Sequence, residues 1–385
     1  MGNLIQKKAT ATLIVGAFAV IGLTPVAGQE VTAEVFGTLP NGKECRAFTL
    51  TNALGTRVRI AEYGALLLSV ETNDRDGNSA NITLSYATLE EALAGGVFGS
   101  VIGRYANRIR AGFEIDEVRY ELHTRSPETQ VHIHGGKNGF HRQLWKGEAG
   151  LKGGNAWASF SLTSPDGQEG YPGTVEVSVR YELTEKNVLR LSYRGTTDKP
   201  THLNLTNHVY FNLAGGGDIT NHLLRVDARR LVEINELKLP TGELISVEDT
   251  PFDLRTQVRL GDFLPKVPGG GLDHCYAVAR KRDRTTLIAK LTDPISGRTL
   301  EVLTTKPGVQ LFTANHFKGK PFPKWGGICF ETQFYPDTPN QPTFPTSLLR
   351  PGETYQHTTE FRFGVSARRV SPSPSPDSPT VAPQP

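Results

Sequence analysis

Cysteine is scarce in this chain of 385 residues, which has only Cys45, Cys275 and Cys329. An odd and widely spaced set cannot form a fully paired disulfide framework, and it lacks the CxxC or Cys/His spacing of a zinc site. We expect either one disulfide or three buried free thiols. A chain of this length can bury a large core, so it needs no disulfide or metal ion for stability.

Charge of one sign is lacking too, because 42 Lys and Arg residues face 39 Asp and Glu residues and the net charge is +3. This balance excludes a strongly basic nucleic-acid binder as the default. The glycine triplets at 215–217 and 269–271 have neither a following Lys nor the strand-to-helix context of a phosphate loop, and we expect them to be loops. Neither GxSxG nor HExxH occurs, so no motif calls for a metal or nucleotide cofactor.

Charge is also absent from a stretch near the N-terminus. Lys7 and Lys8 precede a mostly apolar segment over 9–23, and small residues lead to Gly28. This pattern predicts a signal peptide over 1–28 that is cleaved after Gly28, and hence a secreted or periplasmic protein without membrane association after signal removal. The alternative is a membrane anchor, but the stretch is short and is interrupted by Gly and Pro. Loss of the two lysines lowers the net charge to +1.

The C-terminal end has nothing to bury. From Ser371 serine alternates with proline, so we predict a disordered tail over 367–385 and a folded domain over 29–366. The whole chain contains 40 Gly and 25 Pro, which favours many turns and short elements over long helices.

The folded region shows the alternation of β-strands. Apolar and polar residues alternate from Thr174 to Leu183, a turn follows at 185–187, and the alternation resumes at Leu189, which together predict a hairpin. One short helix is predicted over 88–93, with Thr88 as its N-cap. Six further strands are predicted at 57–60, 66–71, 118–122, 223–227, 300–304 and 360–363. We predict an all-β fold, a single large antiparallel β-sandwich with few short helices, and two separate domains as the alternative.

Six polar clusters stand beside the apolar strands. They are GRYANRI at 103–109, HIHGG at 132–136, NLTNHVYFN at 204–212, LDH at 272–274, GVQ at 308–310 and FETQ at 330–333. Glu331 is the most informative residue of the set, because it follows an apolar segment that is predicted to be a buried strand. A carboxylate there is costly unless it is paired or functional.

Together the clusters contain the groups that sugar chemistry requires. Arg108, Asn207, Asp273 and Gln310 carry groups that hydrogen-bond to vicinal hydroxyls. A carboxylate and an imidazole form an acid/base pair near pH 7. Three aromatic side chains are candidates for stacking on a pyranose ring: Tyr210, Phe211 and Phe334.

The combination and the order of these motifs resemble the aldose 1-epimerase (galactose mutarotase) family over about residues 33–365. The resemblance implies a cofactor-free, metal-free β-supersandwich with an open carbohydrate cleft that interconverts the α and β anomers of free hexoses such as galactose and glucose. It implies that Glu331 is the general base and His208 the general acid. It also implies that five residues contact the substrate: Arg108, Asn107, His134, Asp273 and Gln310. We expect a monomer or a weak dimer.

Two further expectations concern His132 and the glycosylation sequons. His132 precedes His134 by two residues, so on a strand both would face the same side, and His132 is a candidate for assisting the site. The glycosylation sequons begin at Asn81 and Asn204. The second lies inside a predicted catalytic motif, where a glycan would block the cleft, so we predict that Asn204 is unmodified.

Three alternatives remain open at this point. A non-catalytic carbohydrate-binding protein on the same scaffold would not need Glu331 and His208 together. A glycoside hydrolase would need two carboxylates, for which Glu331 and Asp273 are the strong candidates. A relative that acts on sugar phosphates is disfavoured by the near-neutral charge and by the predicted export.

Overall fold

The computed structural model describes residues 28–124, 126, 128–279 and 284–367. The predicted signal segment before Gly28 and the predicted tail from residue 368 lie outside the described residues, so signal cleavage, export and tail disorder stay predictions. Within the described ranges, no helix is long and apolar enough to cross a membrane.

Short strands make up most of the described chain. In chain order they are β1 (Glu30–Thr38), β2 (Glu44–Thr51), β3 (Arg57–Ala61), β4 (Leu66–Asn73), β5 (Ser79–Asn81), β6 (Thr83–Leu84), β7 (Val101–Ile102), β8 (Arg108–Arg110), β9 (Gly112–Ile115), β10 (Val118–Glu121), β11 (Val131–Ile133), β12 (Lys146–Lys152), β13 (Asn155–Ser164), β14 (Val175–Leu183), β15 (Val188–Thr197), β16 (Thr201–His202), β17 (Thr206–Asn207), β18 (Tyr210–Phe211), β19 (Leu223–Val226), β20 (Ala228–Ile234), β21 (Pro240–Ser246), β22 (Val258–Arg259), β23 (Asp273–Val278), β24 (Thr286–Thr292), β25 (Arg298–Thr304), β26 (Gly308–Phe312), β27 (Ile328–Gln333), β28 (Leu348–Leu349) and β29 (Tyr355–Val365). The α-helices are α1 (Leu89–Ala94) and α2 (Leu260–Phe263), and short 3-10 turns lie at Phe140–Arg142, Gln168–Gly170, Leu264–Lys266 and Thr338–Asn340.

Three antiparallel sheets carry most of these strands. The first has the order β1-β2-β3-β4-β5, the second β12-β13-β14-β15-β29-β25-β24-β19-β22, and the third β21-β20-β23-β26-β27-β18-β6. Short ladders join β8 to β11, β7 to β17, β9 to β10, and β16 to β28. The seven-stranded third sheet and the first two of these ladders position the site described below.

One hydrophobic cluster joins all three sheets, since it includes Leu50 of β2, Val179 of β14 and Leu311 of β26. Strand β14 shows why these residues form a strand, because every second side chain from Val175 to Leu183 is buried. Burying one such large aliphatic side chain is worth about 1.5–3 kcal/mol. The alternation therefore fixes which face of the strand joins the core.

The predicted all-β sandwich is confirmed. The hairpin of β14 and β15 has the register Leu183 opposite Leu189, and all six further strands lie where they were predicted, with shifted ends. Helix α1 begins after its predicted cap, since the Thr88 hydroxyl accepts a hydrogen bond from the Glu91 N–H at 3.2 Å. The domain boundaries stay a prediction.

Two further structural expectations concern the cysteines and the glycine triplets. All three cysteines are free and buried, so the structure has the free thiols rather than a disulfide. Both glycine triplets lie in loops, as predicted.

Candidate active site

The seven-stranded sheet has a polar face at its centre. Its register places Gln310 of β26 opposite Glu331 of β27, and Cys275 of β23 opposite Gln310. Directly opposed residues on neighbouring strands share a face, and Asp273 joins them because it precedes Cys275 by two. The opposite face, with residues such as Leu311, packs into the core. Three of the six sequence motifs therefore meet on one surface.

Two short ladders bring the other motifs to the same place. Strand β8 pairs with β11 and places Arg108 opposite Ile133, next to His134. Strand β17 pairs with β7, and the His208 N–H then donates to the Ser100 carbonyl at 3.0 Å. Segments that are separated by up to about 230 residues in the chain thereby converge, as their shared chemistry predicted.

Two hydrogen bonds join His134 and Asn107, one between their main chains and one to the His134 ring. The His134 N–H donates to the Asn107 carbonyl at 3.0 Å, and the Asn107 N–H donates to His134 Nδ1 at 3.3 Å. Both residues have left-handed backbone, with φ of 52° and 63°. The next residue, Gly135, also has positive φ, and a Cβ there would lie 1.8 Å from the Gly103 carbonyl oxygen. Only glycine fits that position, which explains the Gly of this motif.

His132 does not assist the site, and the expectation that it shares a face with His134 is wrong. Strand β11 ends at Ile133, and the left-handed backbone of His134 breaks the two-residue alternation. The buried ring of His132 instead bonds the Tyr171 hydroxyl through Nε2 at 2.9 Å and the His123 carbonyl through Nδ1 at 2.6 Å. Burial lowers the pKa of His132 to about 4, so it is a neutral structural group.

Glu331 and His208 form the centre of the site. His208 Nε2 lies 3.5 Å from Glu331 Oε1, and the two side chains are 5% and 2% exposed. Burial raises the pKa of Glu331 to about 8, with Asp273 adding to the shift and Arg108 opposing it. Burial lowers the pKa of His208 to about 4. Between these values the pair holds a single exchangeable proton.

The second carboxyl oxygen of Glu331, Oε2, is buried and accepts no hydrogen bond from the described residues. Such an oxygen is costly to bury unpaired, so this position suits a ligand that supplies a hydrogen-bond donor. His134 lies close by, since ligand atoms of His134, His208 and Glu331 all fall within 4.8 Å of one another. Two imidazoles and a carboxylate are also a set that divalent metals use, and the absence of a metal stays a prediction.

Asp273 lies next to two other candidates for substrate contact, Gln310 and Arg108. Its Oδ1 accepts a hydrogen bond from Gln310 Nε2 at 2.8 Å, while Oδ2 contacts Lys238 Nζ and lies 3.7 Å from Arg108 Nη2. Burial acts to raise the pKa of Asp273, but Arg108, Lys238 and Gln310 outweigh it and hold the pKa below its ordinary value. Asp273 is therefore ionised at neutral pH. The sequence analysis missed Lys238, which lies between β20 and β21 without any motif.

Of the three aromatic candidates for stacking on a sugar ring, only Tyr210 lies at the site. The Tyr210 ring lies beside His208, with centroids 5.1 Å apart, as a wall of the site. The expectations for Phe211 and Phe334 are wrong, because both are buried in the main core. Phe211 follows Tyr210 on β18 and so faces the other way. Three half-buried rings near Tyr210 were not predicted: Phe98 and Phe317, which contact Tyr210, and Phe322, which packs on both of them.

The side chains of Asn207 and Asn107 both make hydrogen bonds within the protein, and their contacts with substrate stay predictions. The Asn207 amide nitrogen donates to the Gly99 carbonyl at 2.6 Å and to the Tyr181 hydroxyl at 3.1 Å, whereas its Oδ1 is buried without a hydrogen-bond partner among the described residues and still suits a hydroxyl of a ligand. The Asn107 side-chain oxygen accepts from the Arg108 N–H at 2.9 Å and from Arg108 Nη1 at 3.3 Å, and it therefore orients that guanidinium.

Asn204 is fully buried, and its side chain exchanges hydrogen bonds with the main chain of Phe334. This burial gives the predicted lack of a glycan a reason in addition to blockage of the cleft.

His274 of the LDH cluster does not face the site. Its ring packs on Phe252 with centroids 4.5 Å apart, on the strand face opposite to Asp273.

Comparison with known proteins matches the part of the chain that contains these motifs. The model of the family described as aldose 1-epimerase matches residues 46–362. Galactose mutarotase of Homo sapiens is 41% identical over 348 residues, which cover 87% of this chain and 99% of that protein. Aldose 1-epimerase of Escherichia coli K12 is 36% identical over 344 residues, which cover 84% of this chain and 96% of that protein.

Solved structures show the same fold. The crystal structure of galactose 1-epimerase from Lactobacillus acidophilus NCFM matches with a TM-score of 0.78 and 28% identity, over 88% of this chain and 100% of that chain. An aldose epimerase homologue from C. elegans matches with a TM-score of 0.75 and 27% identity, over 82% and 98%. Since the matches run through nearly the whole sandwich and include every motif that converges on Glu331 and His208, the chain belongs to the aldose 1-epimerase family.

Proposed function

We propose that this protein is a mutarotase that interconverts the α and β anomers of free aldohexoses such as galactose and glucose. Its family and the names of its human and bacterial relatives support this activity. The observation that carries the proposal is the Glu331 carboxyl, buried with one oxygen unpartnered among the described residues and the other 3.5 Å from a buried imidazole. The two side chains form an acid/base pair beside an unpaired carboxyl oxygen, which suits the hydrogen-bond donor of a polar ligand.

Ring opening needs one proton removed from the anomeric hydroxyl and one added to the ring oxygen. We assign the first transfer to the Glu331 carboxylate and the second to His208 Nε2 in its protonated form. Opening leaves the aldehyde with a protonated Glu331 and a neutral His208. Rotation about C1–C2 and the reverse transfers then close the ring on the other face. No proton is gained or lost over the cycle.

The pKa directions match this cycle. Burial favours the neutral pair, which is the state that accompanies the open-chain sugar, because it raises the pKa of Glu331 and lowers that of His208. Arg108 acts the other way on Glu331 and favours the carboxylate that ring opening requires. The charge state that begins ring opening, with Glu331 ionised and His208 protonated, is therefore the less populated one, and Arg108 lowers its free-energy cost. Each positioned acid or base contributes about 10²–10⁴-fold to such a reaction.

The neighbouring groups suit the hydroxyls and the ring oxygen of a hexose. Asp273 and Gln310 supply a fixed acceptor and a fixed amide on adjacent strands. Arg108, oriented by Asn107, supplies a cationic donor. His134 accepts a main-chain hydrogen bond at Nδ1, so its neutral ring carries the proton on Nε2 and donates from there. These groups bind the sugar without joining the proton transfers.

The location and the oligomeric state of the protein are proposals as well. The signal-like N-terminus supports a secreted or periplasmic location, where neutral free hexoses are the accessible substrates. We propose a monomer or a weak dimer. Size-exclusion chromatography with light scattering on the secreted protein tests the oligomeric state, and a stable dimer at low micromolar concentration would contradict this proposal.

Polarimetry tests the activity. Freshly dissolved α-D-galactose and α-D-glucose should reach equilibrium rotation much faster with the protein than in buffer, and His208→Asn should abolish most of the acceleration. The matched control is His202→Asn, which changes another buried histidine whose pKa is lowered to about 4 but which bonds Ser347 away from Glu331. Equilibration at the buffer rate contradicts the proposal. Release of sugar from a nitrophenyl glycoside would instead favour the hydrolase alternative.

A further inference from the structure

The His208 ring lies between two side chains of one strand. Cys329 and Glu331 are two residues apart on β27 and so point to the same face. His208 Nε2 lies 3.5 Å from Glu331 Oε1, and Nδ1 lies 3.4 Å from Cys329 Sγ. Each nitrogen of the imidazole therefore faces a different group of β27.

The thiol has a fixed place in a short hydrogen-bonded series. Tyr210 is opposite Cys329 in the register of β18 and β27, and its hydroxyl hydrogen-bonds the sulfur. Cys329 is fully buried, and burial raises the pKa of its thiol well above the ordinary range. The sulfur therefore keeps its proton at neutral pH. The sulfur can accept from more than one donor, so it can take the Nδ1–H of His208 in addition to the Tyr210 hydroxyl.

We propose that Cys329 is a positioning residue that fixes the tautomer of His208. By accepting from Nδ1–H, the sulfur keeps the proton of the neutral imidazole on Nδ1. Nε2, the nitrogen that faces Glu331 and the substrate, is then free to take up and release the transferred proton. The inference rests on the proposed role of His208 as the acid. In the other tautomer the neutral imidazole would already carry its proton on Nε2, so it could not take back the proton of the sugar hydroxyl when the ring closes.

The same contact bears on acid strength. When His208 is protonated, its Nδ1–H faces a sulfur, which is a weak acceptor. The pocket therefore stabilises the imidazolium little on that side, and the Nε2 proton is readily given to the ring oxygen. A serine at 329 keeps a donor and an acceptor, although its shorter bond moves the oxygen slightly away from Nδ1.

Cys275 provides a matched control. It is also a buried free thiol of the same sheet, and strand register places it on the same face two strands away. It packs with Val232, Tyr335 and Phe344 in a separate cluster from the one that holds Cys329. Truncation to alanine removes the same atom at both positions, so a difference between the two variants reports the contact with His208 and not the loss of a buried sulfur.

The experiment compares Cys329→Ala, Cys329→Ser and Cys275→Ala in the full chain. Polarimetry gives kcat and KM, and ¹⁵N NMR of histidine-labelled protein without sugar gives the tautomer, with His208 assigned by the loss of its signals in His208→Asn. We expect Cys329→Ala to lower kcat about tenfold, with KM within about twofold, and to mix the two tautomers. Cys329→Ser should recover most of kcat, and Cys275→Ala should keep the wild-type rate and tautomer.

Two outcomes overturn the inference. In one, Cys329→Ala keeps the wild-type tautomer, whatever its rate. In the other, Cys275→Ala loses as much kcat as Cys329→Ala, which assigns the effect to packing. The NMR readout needs no turnover, so it decides the role of Cys329 even if the wild-type protein fails to mutarotate sugars and the proposed function falls.

Discussion

Arg104 and Glu331 are both ionisable side chains, and the two residues are each 2% exposed, yet their surroundings are opposite. The Arg104 guanidinium donates to the Ser164 hydroxyl at 2.7 Å and to the carbonyls of Ser164, Pro165 and Pro172 at 3.0, 2.7 and 2.9 Å. Burial lowers the pKa of Arg104, but only to about 10. Arg104 therefore stays charged at neutral pH and fastens three segments together.

Glu331 has no such set of partners. Its Oε2 accepts nothing from the described residues, and burial raises its pKa to about 8. The difference teaches that burial alone does not mark a functional group. A buried ion whose hydrogen bonds are complete fixes the fold, whereas one whose bonds are incomplete has capacity left for a ligand.

The largest expected effect is that of Glu331→Gln. It should lower kcat by about 10²–10⁴-fold, because the base that accepts the anomeric proton is lost while the shape of the side chain is kept. The melting temperature should not fall, since no hydrogen bond to Oε2 from the described residues is removed. Polarimetry and thermal unfolding measure the two quantities. A kcat near the wild-type value would remove Glu331 from the mechanism.

The sequence provided a physical reason for choosing Glu331, whereas the choice of Arg108 over Arg104 in the GRYANRI motif had support only from the family resemblance. An acidic residue after an apolar run signals a costly burial, which is a local property. Arg104 and Arg108 are four residues apart in one motif, and only the first meets acceptors from Ser164 to Pro172, about 60 residues further along. Such partners are set by sheet packing, so no pattern within the motif distinguishes the structural arginine from the one beside Asp273.

Strand periodicity explains most of the remaining successes and failures. Alternation predicted the β14 and β15 hairpin, because burial follows every second residue there. It failed at His134, where left-handed backbone breaks the period, and it was not applied to the adjacent Tyr210 and Phe211, which face opposite ways. Lys238 lies on a turn, and its contact with Asp273 depends on how distant strands pair.

Arg104→Met should have the largest effect on stability. It leaves the Ser164 hydroxyl and the carbonyls of Ser164, Pro165 and Pro172 without their donor. Since a buried group left unsatisfied costs about 1–3 kcal/mol, we expect the free energy of unfolding to fall by about 3–5 kcal/mol in all. The folded fraction should keep kcat within a few-fold, because Arg104 is not in contact with the sugar site. Urea unfolding and polarimetry measure both.

The control for Arg104 is Arg350→Met, which removes an exposed arginine that pairs with Asp116. It should leave the unfolding curve nearly unchanged, since exposed ion pairs contribute little. If Arg104→Met were equally harmless, the claim that completed hydrogen bonds identify a structural ion would be wrong.

The next prediction concerns pH. The active pair holds one proton, so kcat/KM should rise as the pH increases through about 4, where His208 and Glu331 together lose a second proton, and should fall as the pH increases through about 8, where the remaining proton is lost. A stopped-flow polarimetric profile measures both limbs. Residual activity of Glu331→Gln should lack the upper limb. A wild-type profile that stays flat to pH 9.5 would contradict the raised pKa of Glu331.

The smallest expected effect is that of Lys238→Met. The Lys238 side chain is 38% exposed, so its pairing with Asp273 is partly screened and is worth about 0–1 kcal/mol, which corresponds to a rise in KM of up to about fivefold. Asp273 keeps its charge through Arg108 and Gln310 and is then less neutralised, so it should raise the pKa of Glu331 further and move the upper limb to higher pH. The control is Lys290→Met, whose lysine pairs with Glu301 on the nine-stranded sheet. If the limb moves to lower pH, or if Lys290→Met moves it equally, Asp273 does not transmit charge from Lys238 to Glu331.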